Sequence, residues 1–128
     1  GTGSGYQAAI LAEMGMDVYT IEIIPELAES AAARLRSLEY TNISTLTADG
    51  YWGWEEHAPF RAIIVTAAPD HVPQPLLQQL ARAGLMVIPV GPVGAFQTLW
   101  RLSYDPAGEV VFESLGAVAF VPLTRSEE

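Results

Sequence analysis

Gly1, Gly3 and Gly5 alternate with Thr2 and Ser4, and a helix-forming run from Tyr6 to Met14 follows at once. Glycine has no Cβ, so such a loop can take positive φ angles and bring its backbone close to a ligand. Where a loop of this kind enters a helix, unpaired N–H groups are expected at the positive end of the helix dipole. That geometry suits a phosphate, a carboxylate or another polar group. Two acids end later β-type runs. Glu22 follows Val18-Tyr19-Thr20-Ile21, and Asp49 follows residues 43–47 and Ala48. An acid at the first of these places can accept hydrogen bonds from the ribose hydroxyls of an adenosine. Asp49 could accept from an adenine amino group, or serve as a plain turn residue before Gly50. The glycine triplet alone is weak evidence. Tyr6 stands where the dinucleotide fingerprint wants its third glycine, which ranks a nicotinamide dehydrogenase last.

Composition narrows the partners. With a net charge of -9, six arginines and no lysine, the chain is a poor match for DNA or RNA, whose phosphates attract basic clusters. The absence of cysteine excludes a disulfide framework, a thiolate zinc site and a catalytic cysteine. Half the residues are hydrophobic and 16% are charged, as in a packed globular core. At 128 residues the chain fits one domain that buries about two-thirds of its unfolded surface. No apolar run approaches the ~18 residues of a membrane span, and no signal peptide is visible, so a cytoplasmic location is expected.

The remaining elements must position these groups. A first helix is expected over residues 6–14, with Gly15 at its C′ position. Residues 17–22 read as a buried strand. Pro25 suits the first turn of a second helix, with Glu26 and Glu29 near its positive end. Leu27, Ala28, Ala31, Leu35 and Leu38 recur at helical spacing and should face the sheet. Residues 43–47 form another strand, and residues 51–59 a loop carrying Trp52, Trp54 and His57. Residues 62–66 are continuously apolar, as in a strand covered on both faces. A loop over 67–72 leads to a helix over 73–83 closed by Gly84, then a strand over 85–90. Residues 97–104 and 109–115 alternate and are joined by the turn Asp105-Pro106-Ala107-Gly108. Residues 118–121 extend the second of these strands, and residues 125–128 read as a frayed tail. This order predicts an α/β fold: a mostly parallel sheet, helices on both faces and an antiparallel hairpin at one edge. Ligands of such sheets bind beyond the C-terminal strand ends. Residues 1–5, 22–24, 49–51 and 66–71 should therefore converge on one cleft.

Together these features resemble S-adenosylmethionine-dependent methyltransferases, and the wording narrows the resemblance to the protein-L-isoaspartate O-methyltransferases. The similar stretches are Gly1-Thr2-Gly3-Ser4-Gly5-Tyr6-Gln7-Ala8-Ala9, Val18-Tyr19-Thr20-Ile21-Glu22 and Ile24-Pro25-Glu26-Leu27. Ala48-Asp49-Gly50, Ala58-Pro59-Phe60, Ile63-Ile64-Val65-Thr66-Ala67-Ala68, Met86-Val87-Ile88-Pro89-Val90-Gly91 and Phe120-Val121-Pro122-Leu123-Thr124 continue them in collinear order. Arg61 and the pair Ala83-Gly84 depart from the family pattern at loop and helix-end positions. The resemblance implies a Rossmann-like methyltransferase sheet that binds S-adenosyl-L-methionine. Gly1, Thr2, Gly3, Ser4 and Gly5 would hold its methionine part, Glu22 the ribose, and Asp49 with Gly50 the adenine; Gln7 and Ile23 join the cofactor-binding set. Thr66, Ala67 and Ala68, with Val121, Pro122 and Leu123, would border an isoaspartyl peptide. The implied reaction is methyl transfer to the isoaspartyl carboxylate in damaged proteins, by a monomer with no metal, nucleic-acid or membrane partner. A methyltransferase of small molecules would share the cofactor half of the site, so residues 66–69 and 121–124 discriminate. A non-catalytic adenosine-binding module is the alternative from another class.

The implied chemistry asks little of side chains. An isoaspartyl carboxylate is already ionised at pH 7 and needs no general base. His57 is then expected as a surface loop residue and His71 as a neighbour of the cleft. Trp52, Trp54 and Trp100 are expected to pack rather than to stack on a ligand.

The chain opens in mid-motif, without an initiator methionine. The family has an N-terminal region that supplies the first, central strand, expected between residues 18–22 and 62–66, and a serine-bearing segment at the substrate carboxylate. The expectation is a truncated catalytic domain whose first strand is missing. Residues 1–128 alone should fold poorly and transfer no methyl groups, because two strands would lose a ladder and expose apolar edges. Thermal melting with cofactor and a methyl-transfer assay on this segment check that; a cooperative melt with full turnover would refute it.

Overall fold

Alternating small side chains let the first helix lie close to its strand. In α1 (Tyr6–Glu13), Ala8 and Ala12 are buried against Val18, with Leu11, Tyr40 and Ile43 packed around them. The structure is a computed structural model that describes residues 1–92 and 94–126. It divides into two units, one of residues 1–50 with 125–128 and one of residues 51–124.

In the first unit α1 ends at Met14, and Gly15 takes φ 88° just beyond it, the left-handed turn that the sequence predicts. β1 (Val18–Glu22) pairs in parallel with β2 (Ile43–Thr47), from Val18 opposite Ile43 to Glu22 opposite Thr47. Between them runs α2 (Pro25–Ser37), with proline in its first turn and Ala28, Ala31 and Leu35 buried. Leu27 and Leu38, expected to face the sheet, are instead 42% and 59% exposed. At 3.6 residues per turn they fall at the margin of the face that 28, 31 and 35 define, and Leu38 is already the C-cap.

The second unit is a four-stranded sheet in the order β3 (Phe60–Ile64), β4 (Leu80–Val90), β5 (Gln97–Tyr104), β6 (Val110–Val118). β3 and β4 are parallel; β4 with β5 and β5 with β6 are antiparallel. Its core is Leu76, Leu80, Met86, Ile88 and Leu102, and the last three are fully buried. The β5–β6 turn closes as predicted. Asp105 Oδ1 accepts the N–H groups of Ala107 and Glu109, both at 2.9 Å, and Gly108 takes φ 85°.

Two expectations change here. β3 is not covered on both faces: Arg61, Ala62 and Ile64 are exposed, while Ile63 packs on the core. The helix expected over 73–83 is only α3 (Gln74–Gln79), and the chain passes straight into β4 at Leu80. Leu80 pairs with Phe60, whereas the next partners are Ala62 and Leu85, so residues 81–84 bulge. Gly84 fits this bulge because a Cβ there would come within 2.8 Å of the Arg61 carbonyl. The strands form two sheets. Among the described residues, β1 pairs with β2 alone and β3 with β4 alone.

Helix α3 stops where its last side chain is needed elsewhere. Buried Gln79 accepts the Trp54 N–H at 2.9 Å and donates to the Trp52 carbonyl at 2.9 Å, bracing the loop before β3. Gly53, at φ 67°, lies against the same amide, where any Cβ would collide with its oxygen. Gln79→Leu in the full-length protein should lower stability by about 1–3 kcal/mol, the range for leaving buried polar groups unpaired. Denaturant melts measure this, and an unchanged midpoint would refute the clamp.

Candidate functional site

One side chain ties the glycine loop to the strand beside it. Glu22, at the end of β1, is 6% exposed. Its Oε1 accepts the Gly3 N–H at 2.8 Å and its Oε2 accepts the Ile24 N–H at 3.1 Å. Its main-chain carbonyl accepts the Ala48 N–H at 3.0 Å, which brings Asp49 and Gly50 to the same end of the β1–β2 pair. A plain solvated strand end is therefore excluded for Glu22. Each carboxylate oxygen has two lone pairs, so a carboxylate held in this way can still accept ligand hydroxyls.

The loop itself is tightly bound. The Thr2 N–H donates to the Ile21 carbonyl at 3.0 Å, and the Thr2 and Thr20 hydroxyls lie 2.7 Å apart. Gly5 N–H donates to the Thr2 carbonyl at 3.0 Å, Tyr6 N–H to Ser4 Oγ at 3.3 Å, and Arg34 Nη1 to the Ser4 carbonyl at 2.5 Å. Gly5 is the N-cap of α1 at φ 90°, buried with Leu35 against it. A Cβ on Gly1 would lie 2.8 Å from Glu22 Oε1, an oxygen that Gly3 already pins. Thr2, Gly3, Gly5 and Tyr6 thus donate their N–H groups inside the unit, and the first helical bond is that from the Ala9 N–H to the Gly5 carbonyl at 3.0 Å. Ile23 is half-buried beside Glu22, whereas Gln7 is exposed on α1.

Asp49 is buried rather than a solvated turn residue. Its Oδ2 accepts Arg125 Nε at 2.9 Å and the Ser126 N–H and Oγ at 3.1 Å each. Residues 125 and 126 are therefore no frayed tail; Glu127 and Glu128 lie outside the described residues. Within the first unit, Glu22 gathers Gly3, Ile24 and Ala48 at one strand end, while residues 66–71 belong to the second unit.

The second unit joins the two predicted substrate segments. The Ala68 N–H donates to the Val121 carbonyl at 2.7 Å, and Leu123 N–H donates to the Ala68 carbonyl at 3.0 Å, so Ala68 and Pro122 form a parallel bridge. Ala67 and Ala68 are buried, Thr66 and Leu123 are half-buried, and Val121 and Pro122 are exposed. Gln97 holds this arrangement. Its Oε1 accepts Phe120 N–H at 2.7 Å, while its Nε2 donates to the Phe120 carbonyl at 3.3 Å and the Ala95 carbonyl at 3.0 Å. The sequence reading missed Gln79, Gln97 and Arg34, since nothing local marks a polar residue that braces distant backbone. His57 is exposed, as expected. His71 lies between Tyr51, whose hydroxyl is 2.8 Å from Nε2, and Asp70, whose Oδ1 is 2.6 Å from Nδ1. Trp100 packs edge-on to Phe112 at 5.7 Å, whereas Trp52 is 52% exposed and edge-on to Tyr51 at 5.1 Å. A concavity of about 440 Å³ lined by Pro59, Leu80, Arg82 and Tyr104 includes none of the predicted residues. Among the described residues no cluster of three or more acids and histidines could hold a metal, and no helix is long and apolar enough to cross a membrane.

The family model described as Protein-L-isoaspartate(D-aspartate) O-methyltransferase matches residues 1–128. A protein-L-isoaspartate O-methyltransferase of Gloeobacter violaceus is 52% identical over 127 residues, covering 99% of this chain and 62% of that protein. Protein-L-isoaspartate O-methyltransferase 2 of Syntrophobacter fumaroxidans is 56% identical over 124 residues, covering 97% of this chain and 50% of that protein. The chain thus spans between half and two-thirds of the length of these curated relatives. A solved protein-L-isoaspartate O-methyltransferase superposes with a TM-score of 0.86 at 26% identity, over 95% of this chain and 39% of that one. A Plasmodium falciparum structure of that type, in complex with S-adenosyl-L-homocysteine, gives a TM-score of 0.77 at 23% identity, over 98% of this chain and 64% of that one. At that identity the second likeness speaks to the fold, which is the Rossmann-like methyltransferase fold that the sequence predicts. With the family model matched from end to end and relatives above half identity, this chain belongs to the protein-L-isoaspartate O-methyltransferase family.

Proposed function

We propose that the protein carrying this chain transfers a methyl group from S-adenosyl-L-methionine to the carboxylate of isoaspartyl residues in damaged proteins. The observation that carries the proposal is a buried acid, Glu22, fastened to a glycine loop in a chain of this family. When bound, the cofactor would supply a methyl group activated by its sulfonium. The residues fit such a ligand: Glu22 offers a held acceptor for ribose hydroxyls, and Asp49 offers one for an amino group. Gly1, Thr2, Gly3, Ser4 and Gly5 would border its methionine part, Gln7 and Ile23 its flanks, and Gly50 the adenine.

Thr66, Ala67, Ala68, Val121, Pro122 and Leu123 would border the peptide. Their bridge is supported from behind by Gln97, which favours a wall over a hinge. None of these side chains is a proton acceptor of use at pH 7. The substrate needs none, since its carboxylate is ionised there. The protein's share is then positioning and exclusion of water, an effect that can reach about 7–11 kcal/mol. The same proposal includes one catalytic domain made of both units, a cytoplasmic location and a monomer. The family model, continuous through both units, supports the first of these.

Paired isoaspartyl and aspartyl peptides with a radiolabelled methyl donor test the reading. Label should enter the isoaspartyl peptide alone; equal labelling of both, or of neither, overturns it. Glu22→Ala removes charge-assisted hydrogen bonds of about 1.5–3 kcal/mol. Cofactor affinity measured by calorimetry on the full-length protein should therefore fall tenfold or more. Glu22→Gln keeps an acceptor for the Gly3 N–H and should fall between the two. Unchanged affinity in both variants would leave Glu22 as a structural brace only.

A further inference from the structure

Three donors from the last described residues converge on one oxygen of a buried carboxylate. Asp49 has a side chain only 4% exposed, and Oδ2 accepts Arg125 Nε, the Ser126 N–H and the Ser126 hydroxyl. Arg125 is itself 40% exposed. A buried carboxylate needs such partners, because desolvation without hydrogen bonds is costly. The strap does more than neutralise charge. One backbone N–H and two side-chain donors from adjacent residues fix both the position and the rotation of the carboxylate. An exposed aspartate after a strand would rotate freely.

We propose that Arg125 and Ser126 are positioning residues that make Asp49 specific for a ligand amino group at the adenine position. This rests on the reading above that Asp49 faces the base. An ionised carboxylate can only accept hydrogen bonds. It rewards an amino group and repels the lone pairs of a carbonyl. A carboxylate free to turn would swing away from a mismatched base and lose little. A carboxylate held through Oδ2 cannot, so the strap converts a hydrogen bond into discrimination between a 6-amino and a 6-oxo purine.

Calorimetry on the full-length protein, with S-adenosylhomocysteine and its inosine analogue as probes, tests this. The wild type should prefer the adenosine ligand by about tenfold or more, the size of a lost hydrogen bond plus an unpaired acceptor. Arg125→Ala should weaken the adenosine ligand about tenfold and change the inosine ligand less than about twofold, which collapses the ratio. Arg125→Lys should restore part of it. Ser126→Gly, which keeps the N–H and cannot unfold a core, should move the ratio in the same direction by a smaller factor. Equal weakening of both ligands would mark the strap as a fold element and overturn the inference, as would an unchanged ratio in Arg125→Ala. Asp49→Asn separates the two readings. A ratio unchanged in that variant removes Asp49 from the base, whereas a ratio lost there but kept in Arg125→Ala refutes only the strap.

Discussion

The bond from the Gly3 N–H to the Glu22 carboxylate is the constraint on which the first unit depends. Burying a carboxylate without partners is strongly unfavourable, and Glu22 meets that demand with backbone. One oxygen takes Gly3, the other takes Ile24, and its own carbonyl takes Ala48. The glycine loop, residues 22–24 and the end of β2 are thereby fixed around one strand end. The glycines follow from this. Gly1 must lack a Cβ because the pinned carboxylate fills that space, and Gly5 must adopt a left-handed turn to start α1.

The same device recurs at four other irregular places in the chain. Gln79 braces the turns before β3, Gln97 braces the approach to residues 121–123, Asp105 closes the β5–β6 turn, and Asp49 holds residues 125–126. Amides suit the first two places because each carries a donor and an acceptor, so one side chain satisfies a neighbouring N–H and C=O together. The aspartates serve where only donors must be met. Irregular backbone buried without such partners would leave polar groups unsatisfied, which folded proteins avoid.

A glycine loop with the N–H groups of Thr2, Gly3, Gly5 and Tyr6 engaged inside the unit is held rigidly. For a reaction whose nucleophile arrives ionised, rigidity is the useful property, because misplacement by about 1 Å can cost about a hundredfold in rate. Arg34, reaching from α2 to the Ser4 carbonyl, and the paired hydroxyls of Thr2 and Thr20 serve the same end.

Much was legible in the sequence because it depends on local physics. Gly15 and Gly108 at positive φ, Pro25 opening α2, the β1 and β2 runs and the Asp105 turn all follow from backbone preference and short-range hydrogen bonding. The glycine loop, Glu22 and Asp49 could be singled out for the same reason, since each is marked by residue type next to a strand or helix end. Tertiary structure decided what those groups touch. The periodicity of residues 73–83 favours a helix, but pairing of Leu80 with Phe60 and burial of Leu80 in the core end it at Gln79. Leu27 and Leu38 repeat at helical spacing, yet which side of α2 is covered depends on what packs there. Arg125 and Ser126 read as a tail because polar residues near a terminus carry no local signal; only the buried Asp49 carboxylate gives them a place. Contacts between residues far apart in sequence are set by packing and by the satisfaction of buried polar groups, and no window of the sequence contains both partners.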